Sequence, residues 1–203
     1  SLFAKSNYSV TGAVRTLDSL SLHDQIKYVA VGNIETQKNW KNILLGQDCI
    51  IHCAGKTHVM KKNIQLESYF AINVDAIKIL AQQAAEAGVK RLIFLSSIKV
   101  NGENTDNFLR SKKKNKIIEA FTENDIPNPT DPYAISKFKA EKIISDISDK
   151  TGLEVVILRL PIVYGFGAKG NLLRLMKLIR SGIPLPFGNI NNKRSMLGVD
   201  NLV

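Results

Sequence analysis

The chain has 203 residues, 44% of them hydrophobic and 23% charged, and a formal net charge of +10. That length supports one domain with a substantial core, and this balance of apolar and charged residues excludes a disordered or fibrous chain. No apolar run reaches membrane-spanning length, because residues 153–164 are interrupted by Arg159 and Pro161.

The opening SLFAKSNYSV lacks the basic-then-apolar layout of a secretory leader, so the expectation is a cytoplasmic protein without membrane insertion. The lysines are dispersed. Their one run, Lys112-Lys113-Lys114, lies in a polar stretch without aromatic interleaving. The positive charge is therefore read as a solvated surface, and no nucleic-acid partner is expected.

In chain order, residues 8–15 read as a strand ending on Arg15, and residues 27–31 as a second, followed by Gly32-Asn33-Ile34. Trp40, Ile43 and Leu44 have helical spacing within residues 36–45. The run CIIHCAG reads as a parallel strand buried on both faces. Its Cys49, His52 and Cys53 cannot all face one ion from a single strand, so reduced thiols and no metal site are expected. Residues 66–87 carry the clearest helical stripe, Phe70, Val74, Ile77 and Ala81, with Gly88 as its stop. A buried strand at 91–96 leads into SIKVNGE, and the polar stretch 101–131 reads as a long surface loop. A helix starting near Tyr133 ends at Gly152, and EVVILRL (154–160) gives another strand. The glycine-rich YGFGAKG leads into a helix over 171–181 and the segment IPLPFG. Strands alternating with helices predict a Rossmann-like α/β fold, a doubly wound parallel sheet.

The chemistry centres on DPYAISK, residues 131–137. Tyr133 and Lys137 are four apart, so one helix face presents both, and Pro132 suits a first helical turn. A free tyrosine titrates near ~10, and a fixed positive charge beside it lowers that value and makes it a proton carrier. Ligands of open parallel sheets bind beyond the carboxyl ends of the strands. Arg15, Ala54-Gly55, Ser96-Ser97 and Pro161 stand at four such ends. The small Ala54 and Gly55 admit close approach to the backbone, and Ser97 is positioned to face the same cleft as Tyr133.

The ordered motifs DCIIHCAG, LIFLSSIKVNGE, DPYAISKFKAE, VVILRLPIVYGFGAKGN and LPFGNINNKRSMLGVDNLV resemble the extended short-chain dehydrogenase/reductases that act on nucleotide sugars. Within that family the resemblance is to the UDP-glucose 4-epimerase-like and UDP-N-acetylhexosamine 4-ketoreductase branch serving surface-polysaccharide synthesis. It implies an NAD(P)-dependent enzyme with Ser97, Tyr133 and Lys137 as its catalytic residues, a UDP-sugar substrate and a homodimer. It further implies cofactor contacts from Arg15, Asn33, Ile34, Ala54, Gly55, Asn73, Lys137 and Pro161. Substrate contacts are implied for Ser97, Asn171, Leu172, Phe187 and Arg194, the last as a diphosphate clamp. A 4-epimerase is the leading reading, with a 4-keto-sugar 4-reductase as its rival and a non-catalytic dinucleotide sensor as the alternative of another class. The cofactor is expected to be NAD, although Arg15 stands where an Arg accommodates the 2′-phosphate of NADP.

Two departures stand out. Asn101 replaces the Tyr of the family's VYG, which suits the amino-sugar branch. No G-x-x-G-x-x-G loop occurs, so the chain is expected to lack the first strand and the C-terminal portion of a protein of roughly 300 residues. The expected division is a dinucleotide-binding domain over 1–168 and the start of a substrate-binding portion over 169–203.

Overall fold

The computed structural model describes residues 8–17, 24–57, 66–105, 120–167, 171–184, 188 and 193–203. The lysine run at 112–114 and Phe187 lie outside these residues, and of Asn171 only the backbone is described. The chain divides into two compact units, Ser1–Arg159 and Leu160–Val203.

In the first unit, β1 (Val10–Val14) pairs in parallel with β2 (Ile26–Ala30), Val10 opposite Ile26 and Val14 opposite Ala30. A second sheet holds β3 (Cys49–His52), β4 (Arg91–Ser97) and β5 (Glu154–Leu160) in the order β3-β4-β5. β3 and β4 are parallel, Cys49 opposite Arg91 and His52 opposite Phe94. The crossover from β3 to β4 is helical. It runs through α2 (Leu66–Phe70), a π-helical turn (Ala71–Asp75) and α3 (Ala76–Glu86). The crossover from β4 to β5 carries α4 (Pro132–Thr151). This is the β-α-β winding expected of a Rossmann-like fold.

Side-chain spacing places the core. On α3, Ile77, Leu80, Ala81 and Ala84 are buried, as a 3.6-residue period requires of a helix with one covered face. They meet Leu92 and Phe94 of β4, Ala140 and Ile144 of α4, and Trp40 and Leu44. Each large apolar side chain so covered contributes about 1.5–3 kcal/mol. Helix ends are set by chemistry as well. Asp131 caps α4 by accepting from the Ala134 N–H at 2.8 Å, and Gly152 ends it at φ 77°, a conformation that favours glycine.

The structure departs from the sequence reading at three places. The helix read over 36–45 contracts to α1 (Lys41–Leu44). Upstream, Asn39 Oδ1 accepts from the Lys41 N–H at 3.1 Å, and Gln83 Oε1 takes the Trp40 N–H at 2.7 Å. These side chains satisfy donors that a longer helix would have used internally. Second, β3 is not covered on both faces. Cys49, Ile51 and Cys53, two residues apart along the strand, are exposed, whereas His52 is buried. Third, the helix over 66–87 is interrupted by the π turn, at whose centre sits Asn73.

In the second unit, β6 (Ile162–Tyr164) pairs in parallel with β7 (Met196–Gly198), which runs into α6 (Val199–Leu202). Between them in sequence lies α5 (Asn171–Arg180). The division at 159/160 precedes the 168/169 boundary read from sequence, because β6 takes its partner from beyond residue 195. Among the described residues no helix is long and apolar enough to cross a membrane.

Candidate active site

β4 delivers Ser97 at its C-terminal end in extended conformation, φ −143° and ψ 142°, and a single 3₁₀ turn (Ile98–Val100) follows. The Ser97 hydroxyl accepts from the Lys99 N–H at 3.3 Å, capping that turn, and lies near enough to the Tyr133 phenol to favour its ionised form. α4 begins one residue before Tyr133, so its first turn faces the end of β4. The two elements are tied at this point by Lys99, whose Nζ lies 2.6 Å from Asp131 Oδ2 and 2.8 Å from Glu103 Oε1.

One turn along α4, Lys137 is 5% exposed. Its Nζ donates to the Leu95 carbonyl at 2.8 Å and stands 4.5 Å from the centroid of the Phe94 ring. Burial lowers its pKa to about 8, opposed by the charges of Glu141 and Cys53. Lys137 is thus still predominantly an ammonium at neutral pH.

The electrostatics of Tyr133 differ from the sequence reading. Burial holds its phenol above the ordinary value, outweighing the influence of Ser97, and Asp131 adds to the rise. The cation that pulls it down is Lys99, while Lys137 is engaged with Leu95. The i,i+4 spacing placed both side chains on one face. It could not reveal the carbonyl that the ammonium meets there.

Beside this group lies a cavity of about 640 Å³. Arg15, Asn33, Ile34, Ala54 and Gly55 all line it, at the ends of β1, β2 and β3. Gly55 forms the wall next to Lys137. A Cβ there would stand 3.1 Å from Asn73 Oδ1 and 3.3 Å from Lys137 Nζ, closer than side chains normally pack. Glycine at 55 is therefore what lets Asn73 and Lys137 pack against this wall of the cavity.

Asn73 supports that wall from behind and does not reach into the cavity. It is 1% exposed, accepts from the Lys56 N–H at 2.7 Å, and donates to the Lys56 carbonyl at 3.0 Å and to Ser136 Oγ at 2.9 Å. The π turn brings this amide to the 54–56 segment. Asn101, read as a marker of amino-sugar specificity, is likewise fully used inside the protein. It is 2% exposed, donates to the Thr122 carbonyl at 3.2 Å and accepts from Arg159 Nη1 at 3.0 Å. Pro161, Leu172 and Arg194 belong to the second unit, where Leu172 is half-buried on α5 and Arg194 is exposed.

His52 gives the site a pH dependence of its own. It is 5% exposed, with its ring stacked on Phe94 at 5.9 Å between centroids. Burial first, and then the Lys137 charge, lower its pKa from 6.5 to about 4, against a backbone hydrogen bond with Ala54. The unfolded chain therefore binds a proton at a higher pH than the folded one. Stability is expected to be unaffected by His52 above about pH 6.5 and to fall as pH drops toward about 4, by roughly 3 kcal/mol once the loss is complete. Urea unfolding at a series of pH values measures this. Replacing His52 by Gln should flatten that part of the curve, and an unchanged slope would contradict it.

Sequence reasoning missed one group, formed by the buried Ser96 and Glu141 and the half-buried Arg159. Glu141 accepts from Ser96 Oγ at 2.5 Å and from Arg159 Nη2 at 2.7 Å. The signal was present as a lone arginine inside the apolar run EVVILRL, since a covered charge requires a partner.

The NAD dependent epimerase/dehydratase family matches the chain over residues 1–203, and the chain belongs to that family. It is 40% identical to a UDP-glucose 4-epimerase of Vibrio cholerae, over 100% of this chain and 59% of the relative. It is 26% identical to an N-acetyl-alpha-D-glucosaminyl-diphospho-ditrans,octacis-undecaprenol 4-epimerase of Escherichia coli O157:H7, over 94% of this chain and 54% of the relative. The chain thus spans little more than half the length of these two proteins. Its fold is similar to that of the UDP-glucuronic acid 4-epimerase from Bacillus cereus in complex with UDP-glucuronic acid and NAD. There the TM-score is 0.78 at 21% identity, covering 98% of this chain and 64% of that one. MoeE5 in complex with UDP-glucose and NAD gives a TM-score of 0.76 at 23% identity, covering 99% and 63%.

Proposed function

We propose that this chain carries the cofactor-binding and catalytic portion of an NAD-dependent nucleotide-sugar 4-epimerase, acting on a UDP-hexose or UDP-N-acetylhexosamine in surface-polysaccharide synthesis. One observation carries the reading. A buried Lys137 stands against Gly55, which lines a cavity together with Arg15, Asn33, Ile34 and Ala54, and Ser97 favours ionisation of Tyr133 one turn earlier on α4. These residues fit a dinucleotide. Gly55 has no side chain, Ile34 offers an apolar surface to a base, and Arg15 offers a cation to ribose and phosphate, with Lys137 behind Gly55.

NAD, when bound there, supplies a place for the C4 hydride of the sugar and a source from which it returns. The chain's residues manage the proton. Tyr133, in its phenolate form, accepts it from the C4 hydroxyl beside Ser97, and later returns it to the oxygen of the 4-keto sugar after the ring has turned. Lys99 is the charge that favours ionisation of Tyr133. Lys137 contributes positive potential and a donor at the cavity wall. In this reading Asn171, Leu172, Phe187 and Arg194 hold the UDP group, and the active enzyme is a cytoplasmic homodimer.

The test is to give the enzyme UDP-N-acetylglucosamine without added cofactor. The C4 epimer is expected to accumulate to equilibrium. No epimer under these conditions, with reduction of a UDP-4-keto-sugar when NADH is supplied, would move the assignment to a 4-ketoreductase.

A further inference from the structure

We propose that Glu141 is a positioning residue for the Tyr133–Lys137 pair, joining the helix that carries them to the strand that carries Ser97 by way of Ser96 and Arg159. The inference deepens the epimerase reading and rests on it.

Tyr133, Lys137 and Glu141 recur every four residues on α4, so they share one face and span two turns, roughly 12 Å. At the far end of that face Glu141 is 4% exposed. Its Oε1 accepts from Ser96 Oγ at 2.5 Å, and Ser96 immediately precedes Ser97 on β4. Its Oε2 accepts from Arg159 Nη2 at 2.7 Å, on β5. Arg159 Nη1 continues to Asn101 Oδ1 at 3.0 Å, and the Asn101 N–H closes the turn after Ser97 by donating to the Ile98 carbonyl at 2.9 Å. One carboxylate thus fixes α4, β4, β5 and the turn behind Ser97 relative to each other.

Stability alone does not call for such a group. A buried ion pair costs several kcal/mol of desolvation per ion, and well-packed apolar replacements of similar size are often neutral or stabilising. Glu141 also does something an apolar residue could not. The groups facing the Lys137 ammonium are the Leu95 carbonyl and Phe94 ring of β4, His52 and Cys53 at the end of β3, and Glu141 on its own helix. His52 is neutral at pH 7 because its pKa is about 4, and burial raises the Cys53 thiol. Glu141 is therefore the first charge that opposes the effect of burial on Lys137.

Glu141→Gln keeps the shape and removes the charge. In the holoenzyme it is expected to lower kcat about 10- to 100-fold with KM changed less than about twofold, because orientation is lost and ground-state binding is not. The Lys137 Nζ titration, followed by ¹⁵N NMR, should fall by about one pH unit, and the alkaline limb of the kcat profile should fall with it. Parental kcat and an unmoved Lys137 titration would overturn the proposal. If Glu141→Gln does not fold, Glu141→Asp decides. It keeps the charge but withdraws the carboxylate by one methylene, so Lys137 should titrate near its parental value while kcat drops about tenfold. Full activity in that variant would overturn the proposal equally. Absence of C4 interconversion in the parent would defeat the epimerase reading instead, and the Lys137 titration would still decide the role of Glu141.

Discussion

Tyr133→Phe is expected to lower turnover by about 10²–10⁴-fold, the range of a lost general acid-base group, while the protein folds as before. The change removes one hydroxyl from a half-buried residue in the first turn of α4 and leaves its ring in place. Loss of one hydroxyl hydrogen bond costs about 1 kcal/mol of stability. Rate and stability should therefore separate cleanly. Activity is read by C4 interconversion and folding by the urea midpoint, and a variant keeping more than a tenth of the parental rate would refute the role given to Tyr133.

The second large effect concerns the gap in the sheet. Among the described residues β1 pairs with β2 alone and β3 with β4 alone, so each presents one edge without a described partner. Thr11, Gly12 and Ala13 of β1 and Cys49 to His52 of β3 line the same cavity of about 640 Å³. A parallel strand laid there would pair with both and turn five strands into one continuous sheet of order 3-2-1-4-5-6. Open apolar edges promote association between chains, and the sequence has no G-x-x-G-x-x-G turn to hold a pyrophosphate. The 203-residue chain by itself is therefore expected to aggregate readily, bind dinucleotide weakly and turn over no sugar. Joining a β-α segment of about thirty residues with a glycine-rich turn to its N-terminus should raise NAD affinity at least tenfold, measured by calorimetry. A cooperative thermal transition together with micromolar NAD affinity in the chain alone would contradict this.

What the sequence made legible was local. The strand at 154–160 is found where EVVILRL placed it, and α4 begins at the Pro132 that its position predicted. Gly88 and Gly152 adopt the left-handed conformations expected of helix ends, at φ 75° and 77°. Arg15, Asn33, Ile34, Ala54 and Gly55, chosen from strand ends and motif resemblance, come together around one cavity. What escaped depended on partners distant in sequence. Lys137 meets the carbonyl of Leu95, Lys99 meets Asp131, and Glu141 meets Arg159 across 18 positions. The motif resemblance implies a cofactor contact for Asn73 and marks Asn101 as suited to the amino-sugar branch. Only the fold reveals that every polar atom of their amides is taken by Lys56 and Ser136 in one case, and by Thr122 and Arg159 in the other. The exposure of Cys49 and Cys53 escaped for a different reason. A run of apolar residues cannot say that one face of its strand is left uncovered.

The central claim is that a proton and a hydride leave C4 of the sugar and return to it within one turnover, with Tyr133 carrying the proton. A UDP-hexose deuterated at C4 tests this most directly when incubated with the holoenzyme and no added cofactor. The account predicts interconversion of the C4 epimers with the deuterium retained at C4. Conversion only upon addition of reduced cofactor, or loss of the deuterium during interconversion, would contradict it.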